Sequence, residues 1–468
     1  MRYSAFNSRP IGSSIFNIAG QAEKINNGFS VRKLNFSRKD RIFSLADKNY
    51  NRIQEFFYVF LFLLLAISAY FFFNLLLANE KNVWTNFTKI YFVGLLFFTW
   101  YHFMLLFYYD LNKSKNTEFS YNNEKITVII PCFNEEKNLL KRAVKSIIKA
   151  KGNKEIIIID DGSTNNIRAT LEKMSKQPGI KVFYFKKNKG KRAALHYALK
   201  KITSSDYVVT VDSDTILDRN ALVRVVQPLA NPAIGAATGE VRVLNENQNW
   251  LTQMIGAYYW VSLNIKRKSQ SAFGMVDCCS GAIAAYKFEI LSAVADNFLN
   301  QTFFGEQCTF SEDRHLTNLV LKSNYDVVYV PEAIVYTFSP STIRGFLRQQ
   351  LRWKRGYIRE STYTLSYAWK TRKLLFFQVF FWDLTSPFIT LALRAALLIT
   401  FILNPLIVLL VFLPSWILFL FVRNIFLLLQ APNKTFGLIK YMLFYEAILY
   451  WVSLYALFTV RRKGWITR

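Results

Sequence analysis

Acidic side chains are scarce in this chain: 31 Asp and Glu stand against 59 Lys and Arg, a formal net charge of +28. That excess calls for an anionic companion, but no helix-turn-helix, finger or RNA-recognition pattern accompanies it, so nucleic acid is not the expected partner. Anionic lipid and an anionic substrate account for the charge more simply. Cysteine is also sparse. Cys132, Cys278, Cys279 and Cys308 include no C-x-x-C pair and no histidine partner at metal spacing, so zinc is not expected, and in a cytoplasmic domain these are reduced thiols. A cleavable leader is not expected either, because the first apolar block starts only at Phe56 and lacks a short basic leader and a small-residue cleavage site.

Apolar residues are what the chain has in abundance. They make up 52% of it, 17% being aromatic, which is rich for a soluble protein. Phe56 to Ala78 and Ile90 to Tyr109 are each about the ~20 residues that cross a bilayer core. Three further blocks follow residue 373: Leu374 to Leu403, Leu406 to Leu429 and Gly437 to Val460. Residues 1–52 carry ten Lys or Arg against three acids, and the tail RRKGWITR is basic. The positive-inside tendency therefore predicts a multi-pass protein of the plasma membrane with its middle region and both termini cytoplasmic. Three C-terminal spans would put the tail outside, so one block is expected to be interfacial or re-entrant; the first, interrupted by Asp383 and Pro387, is the candidate. The resulting order is a basic segment (1–52), two spans (53–110), a polar middle (120–338), amphipathic interfacial helices (339–373), C-terminal membrane or interfacial helices (374–460) and a basic tail (461–468).

The middle alternates strands and helices. Lys125–Pro131, Lys154–Asp160, Lys181–Phe185 and Asp206–Val211 read as strands, and KNLLKRAVKSIIKA, between the first two, has helical spacing of Leu139, Leu140, Val144, Ile147 and Ile148. This succession predicts an α/β fold with a mostly parallel sheet, whose ligands bind at the carboxyl ends of the strands.

Polar residues collect at those ends. Asn134-Glu135 follows the first strand, Asp160-Asp161-Gly162-Ser163 the second, and Asp212-Ser213-Asp214 the fourth. One acid at a strand end is commonly a turn former, but three clusters at three strand ends point to a site. Asp212 and Asp214, at i and i+2 on extended chain, face the same way and suit a hard divalent ion beside a diphosphate. Lys189-Gly190-Lys191-Arg192 opens a helix, where positive charge and free amides suit a phosphate. Further on, Glu312-Asp313 opens another helix; such acids complement a helix N-terminus, and a carboxylate there also suits a general base for an acceptor hydroxyl.

Four motifs in order carry a resemblance. Val211-Asp212-Ser213-Asp214-Thr215, Cys279-Ser280-Gly281, Glu312-Asp313-Arg314-His315-Leu316-Thr317 and Gln349-Gln350-Leu351-Arg352-Trp353 resemble the motifs of processive family 2 glycosyltransferases, nearest to hyaluronan synthases and nodulation-type chitin-oligosaccharide synthases. The resemblance implies a GT-A-like domain inserted between transmembrane helices. It implies that Asp161 holds uridine, that Asp212 and Asp214 hold Mg2+ or Mn2+ against the UDP diphosphate, and that Asp313 is the catalytic base with Glu312 beside it. Asn134, Glu135, Lys189, Lys191, Arg192, Cys279, Ser280, Gly281 and Arg314 fall among the substrate contacts. Gln349, Gln350 and Arg352 would reach the diphosphate, and Trp353 would stack on the acceptor sugar. Ala282 stands where that family usually has proline, which leaves the turn at Cys279–Gly281 looser.

The implied reaction is inverting and needs no covalent intermediate, with UDP-sugar donors, a growing polysaccharide acceptor and a lipid bilayer as partners. The NQTFFG stretch, the early spans and the tail make hyaluronan, polymerised from UDP-N-acetylglucosamine and UDP-glucuronic acid and exported, the expected product, with a chitin-type product as the alternative. YYWVSLNIKRKSQSAFG and RQQLRW favour a chitin-type product. A non-processive transferase with a lipid acceptor is a third reading; a degenerate transport or scaffold protein is disfavoured because Asp212, Asp214 and Asp313 are all present. Arg344, Arg348, Arg352, Arg355 and Arg359 recur at helical spacing, predicting one basic stripe lying along the cytoplasmic bilayer face.

Overall fold

The computed structural model describes residues 120–403, 405–409, 427–428 and 430–462. The basic segment 1–52, the early spans with the loop joining them, most of the Leu406–Leu429 block and residues 463–468 of the tail lie outside the described residues.

The β-branched run ITVIIPC forms β1 (Ile126–Cys132), buried at every position and therefore a central strand. It pairs in parallel with β2 (Lys154–Asp160) and β4 (Tyr207–Thr210), and β2 pairs in parallel with β3 (Ile180–Tyr184). These four strands lie within one residue of their expected bounds. Amphipathic α1 (Lys137–Lys149) makes the β1–β2 crossover, burying Leu140, Ala143, Val144 and Ile147. α2 (Arg168–Ser175) and α3 (Lys191–Lys200) complete the next crossovers. The register Cys132 opposite Asp160 and Ile129 opposite Thr210 brings the three polar clusters to one edge of the sheet.

Beyond β4 the sheet changes character. A two-residue β5 (Ile216–Leu217) and α4 (Ala221–Val226) lead into β6 (Ile234–Val243), and α5 (Trp250–Val261) runs on through a π-helical turn (Ser262–Arg267) to Ser271. β7 (Ala284–Lys287) then inserts antiparallel between β4 and β6. α6 (Phe288–Leu299), a small hairpin of β8 (Thr302–Phe303) and β9 (Glu306–Gln307), and α7 (Glu312–Lys322) precede β10 (Asp326–Thr337). The sheet order is β3-β2-β1-β4-β7-β6-β10-β5, with β6 parallel to β10 and β5 antiparallel at the edge.

The 339–373 region, expected as several interfacial helices, is chiefly one 29-residue helix, α8 (Ile343–Thr371), whose N-cap Thr342 accepts from the Gly345 N–H at 3.3 Å. Its expected basic stripe is not a single surface. Arg344 and Arg348 are exposed, but Arg355 is buried and donates to Thr459 Oγ1 at 2.9 and 3.1 Å, while Arg359 donates to the Phe310 carbonyl at 2.8 Å. Helical spacing places side chains on a face but does not say what that face meets. The apolar core filling the sheet continues into Tyr367 and Ala368 of α8 and into Leu375 and Val379 beyond it.

Among the described residues, two helices are long and apolar enough to cross a membrane: Lys373–Ile402 and Pro432–Phe458. The first contains α9 (Lys373–Gln378), a π-helical turn (Val379–Thr385) and a regular stretch from Ser386 to Leu403. Asp383 lies in the π-helical turn and Pro387 near the start of the regular stretch, so helical structure runs through both. The second helix contains α10 (Thr435–Phe444).

Candidate active site

The strand-end clusters and the N-terminus of α7 meet around one ammonium group. Lys191, in the first turn of α3, places Nζ 2.6 Å from Asp212 Oδ1 and 2.9 Å from Glu312 Oε1. Burial alone would lower its proton affinity, but Asp212, Glu312 and Asp313 together raise it, so the lysine is fixed as a cation. The same contact decides the roles of the neighbouring acids. Burial would raise the Glu312 carboxyl, yet Lys191 outweighs it and holds Glu312 below its ordinary range. Asp313 is raised by burial and by the adjacent Glu312 charge. One carboxylate of the pair is thus neutralised by a cation while the other keeps an elevated proton affinity, which suits a base.

Close packing holds this arrangement. A Cβ on Gly281 would lie 2.9 Å from Lys191 Nζ and 3.0 Å from Asp212 Oδ2, so a larger residue in the Cys279–Gly281 turn would displace the lysine and the acid. The turn closes without the family's proline through the Ile283 N–H donating to the Ser280 carbonyl at 3.0 Å. Two hydroxyls secure it: the Cys279 N–H donates to Thr317 Oγ1 at 2.8 Å and the Ser280 N–H to Thr238 Oγ1 at 3.0 Å. Thr317 in turn donates to the Asp313 carbonyl at 2.8 Å, tying the turn to α7.

Asp161 accepts from the Lys189 and Gly190 N–H groups at 2.7 and 2.8 Å, shaping the loop at the start of α3. Burial raises its carboxyl despite these donors. Asn134 Oδ1 accepts from the Thr164 N–H at 2.8 Å, and Glu135 accepts from Ser213 Oγ at 2.7 Å, so both brace the loops around Asp161 and Asp212. Lys189 is exposed, its ammonium over the Phe185 ring.

Two expected contacts are not brought to the cluster. Arg192 is buried under α6, donating to the Phe298 carbonyl at 2.6 Å and Gln301 Oε1 at 2.8 Å. The helical register that points Lys191 at the acids turns its neighbour into the core. Arg314 likewise faces α8, donating to the Tyr357 carbonyl at 3.0 Å and stacking over the Tyr357 ring at 3.8 Å.

α8 brings the remaining motif. Gln350 is buried, and Gln349 Oε1 and Gln350 Nε2 have no hydrogen-bond partner among the described residues, a costly state for buried polar atoms. Trp353 lies 6.3 Å from the Tyr259 ring of α5 at 35°. Tyr259 and Thr238 were not assigned from the sequence, and Thr317 stood in the Glu312–Thr317 motif without a role; a threonine within the apolar run of β6 was the signal available for Thr238. At Gly356 the helix passes so close that a Cβ would stand 1.6 Å from Ser311 Oγ. Ser311 has φ +63° and immediately precedes Glu312.

Asp212 and Asp214 offer an all-oxygen donor set. Lys191 occupies one oxygen of Asp212, while Asp214 Oδ1 accepts from Thr337 Oγ1 at 3.4 Å. No group of three or more His, Cys, Asp or Glu completes a metal cage among the described residues. The pair fits an ion that takes one or two carboxylates and draws its other ligands from phosphate and water, as Mg2+ does, and the same oxygen donors suit Mn2+.

Residues 127–294 match the glycosyl transferase family 2 model. Curated relatives include N-acetylglucosaminyltransferases from Bradyrhizobium diazoefficiens (39% identity over 50% of this chain and 49% of that protein), Azorhizobium caulinodans (35%, over 54% and 65%) and Mesorhizobium japonicum (37%, over 50% and 56%). The chain thus spans about half to two thirds of the length of these relatives. Among solved structures it is similar to a mannosyltransferase from Pyrobaculum calidifontis in complex with GDP-Man and Mn2+, with TM-score 0.52, 17% identity and coverage of 77% of this chain and 95% of that one. That likeness identifies the fold as GT-A-like.

Proposed function

We propose, from the premise that the chain carries a glycosyl transferase family 2 domain, that it is a membrane-attached inverting transferase that moves N-acetylglucosamine from UDP-N-acetylglucosamine onto a growing β-linked chitin-type chain. The observation that carries this reading is the division of labour in the first turn of α7: Lys191 neutralises Glu312 and leaves Asp313 with the raised proton affinity of a base. The names of the relatives support the chitin-type reading over hyaluronan.

Asp313 takes the proton of the acceptor hydroxyl as that oxygen attacks the anomeric carbon opposite the leaving UDP, which gives β product from an α-linked donor. Lys191 and Arg352 supply fixed positive charge near the departing diphosphate in a site poor in water. A Mg2+ or Mn2+ ion held by Asp212 and Asp214 would neutralise charge developing on the diphosphate. Asp161 shapes the loop bordering the uridine. Gln349 and Gln350 offer their unsatisfied amide atoms to donor or acceptor, and the Trp353 face takes the acceptor sugar. The exposed Arg344 and Arg348 at the start of α8 meet anionic headgroups of the cytoplasmic leaflet.

Membranes bearing the full chain, incubated with each UDP-sugar alone and in pairs, test the reading. A chitinase-sensitive product from UDP-N-acetylglucosamine alone is expected. A hyaluronidase-sensitive product that requires UDP-glucuronic acid as well overturns it in favour of hyaluronan.

A further inference from the structure

Around Arg314, next in the chain to Asp313, lies a charged cluster that the proposed chemistry does not use. Asp383, in the apolar helix that follows α8, has a side chain only 3% exposed. Arg314 Nη2 lies 3.1 Å from its Oδ2, Ser361 Oγ donates to the same oxygen at 3.3 Å, and the Tyr357 hydroxyl donates to the other. The second acid of the cluster, Asp277, lies 3.0 Å from Lys266 Nζ and 3.7 Å from Arg314 Nη2, and Lys266 also donates to the Tyr357 hydroxyl at 3.0 Å. Two cations, the buried Arg314 and the partly exposed Lys266, are thereby balanced by two buried acids drawn from separate elements. Removing one member of such a set leaves an uncompensated charge.

Two features set this cluster apart from an ordinary packing contact. Lys266 and Asp383 both sit in π-helical turns, Ser262–Arg267 and Val379–Thr385, a local geometry that recurs where helices serve function. The second feature is direction. The side chain of Arg314 is held by Asp383 and the Tyr357 carbonyl, while its own backbone N–H donates to Asp313 Oδ1 at 2.8 Å. A carboxylate in a membrane-type helix therefore reaches the Asp313 carboxylate through one intervening residue.

We infer that Asp383 is a positioning residue for the transfer reaction, acting through Arg314 to hold the Asp313 carboxylate toward the acceptor hydroxyl. The inference rests on the base role given to Asp313 above. Its consequence is that the first C-terminal apolar helix anchors the chain and also sets the geometry of the chemical step. Arg314, placed among the substrate contacts by its motif, serves instead as the link.

The test uses the full chain in native membranes, comparing wild type with Asp383→Asn, which keeps the shape and removes the charge. Incorporation of N-acetylglucosamine gives kcat and donor KM, and UDP binding with Mn2+ is measured in parallel. The expected result is a kcat lower by about tenfold or more with donor KM and UDP affinity within about twofold of wild type, because misplacing a base slows chemistry without weakening ground-state binding. An unchanged kcat overturns the inference. Loss of UDP binding also overturns it, since Asp383 would then support the domain as a whole. Wild-type membranes that bind no UDP and transfer no sugar would instead count against the underlying functional reading.

Discussion

Lys191 stands between Asp212 and Glu312, its ammonium within 2.9 Å of an oxygen on each. One residue thus links the end of β4 to the start of α7, and the rest of the site is arranged around that link. Replacing Lys191 with Met leaves two neighbouring acids without a counter-charge in a buried setting. Transfer is expected to fall by about 10²-fold or more. Single-turnover sugar transfer from radiolabelled donor measures it, and a variant within twofold of wild type rules out this electrostatic role.

Asp313→Asn keeps the volume of the side chain and removes the base. Positioned general bases contribute roughly 10²–10⁴-fold, so polymer synthesis is expected to drop by that order while UDP binding is retained. Loss of nucleotide binding in this variant would assign Asp313 to the donor site instead.

The pH dependence follows from the same pair. Asp313 is raised above the ordinary aspartate value of 3.8 by burial and by Glu312, so its basic form is lost at a higher pH than for a free aspartate. Activity as kcat/KM is expected to fall as pH drops through that raised value. Glu312→Gln removes the like charge and moves the acid limb to lower pH; an acid limb that stays in place in that variant excludes Asp313 as the titrating group.

Trp353→Ala removes the ring face beside Tyr259 without touching the carboxylates. Donor hydrolysis is expected to survive while chain growth stops, and product length on gels reports it. Full-length product from this variant would dismiss stacking as the means of holding the acceptor.

Gly356→Ala forces a methyl to within 1.6 Å of Ser311 Oγ, where Ser311 already has φ +63°. Overpacking of this kind costs typically about 1–3 kcal/mol, and the melting temperature should fall together with activity. Adding Ser311→Gly removes the clashing side chain at a backbone conformation that glycine tolerates, so the double variant should recover both. Failure to recover would mean that the Ser311 hydroxyl has a role of its own.

What the sequence made legible followed local pattern. The parallel half of the sheet was readable because β1 through β4 are β-branched runs separated by one amphipathic crossover each, and the acids at their ends were readable because register aligns Cys132 with Asp160. The insertion of β7 between β4 and β6 was not, since four residues, AAYK, carry no strand signal of their own and pair with segments distant in sequence. Arg192 and Arg314 were assigned by motif position, yet the direction of each side chain is set by α6 and α8, which no local spacing reveals. Asp383 was visible as an oddity in an apolar block. Its buried partner on α7, Arg314, is distant in sequence, and no local pattern reveals it.

The continuity of the core through α8 bears on how this protein could be handled in the laboratory. A fragment trimmed to the glycosyl transferase fold alone, ending near residue 338, would lose Gln350, Arg352 and Trp353 and would leave Arg314 without Tyr357 or Asp383. It would also uncover the apolar surface that Tyr367, Ala368, Leu375 and Val379 close in the intact chain. Such a soluble piece should aggregate rather than report on catalysis, and detergent or nanodisc preparations that keep the later helices are the form in which substrate specificity can be measured.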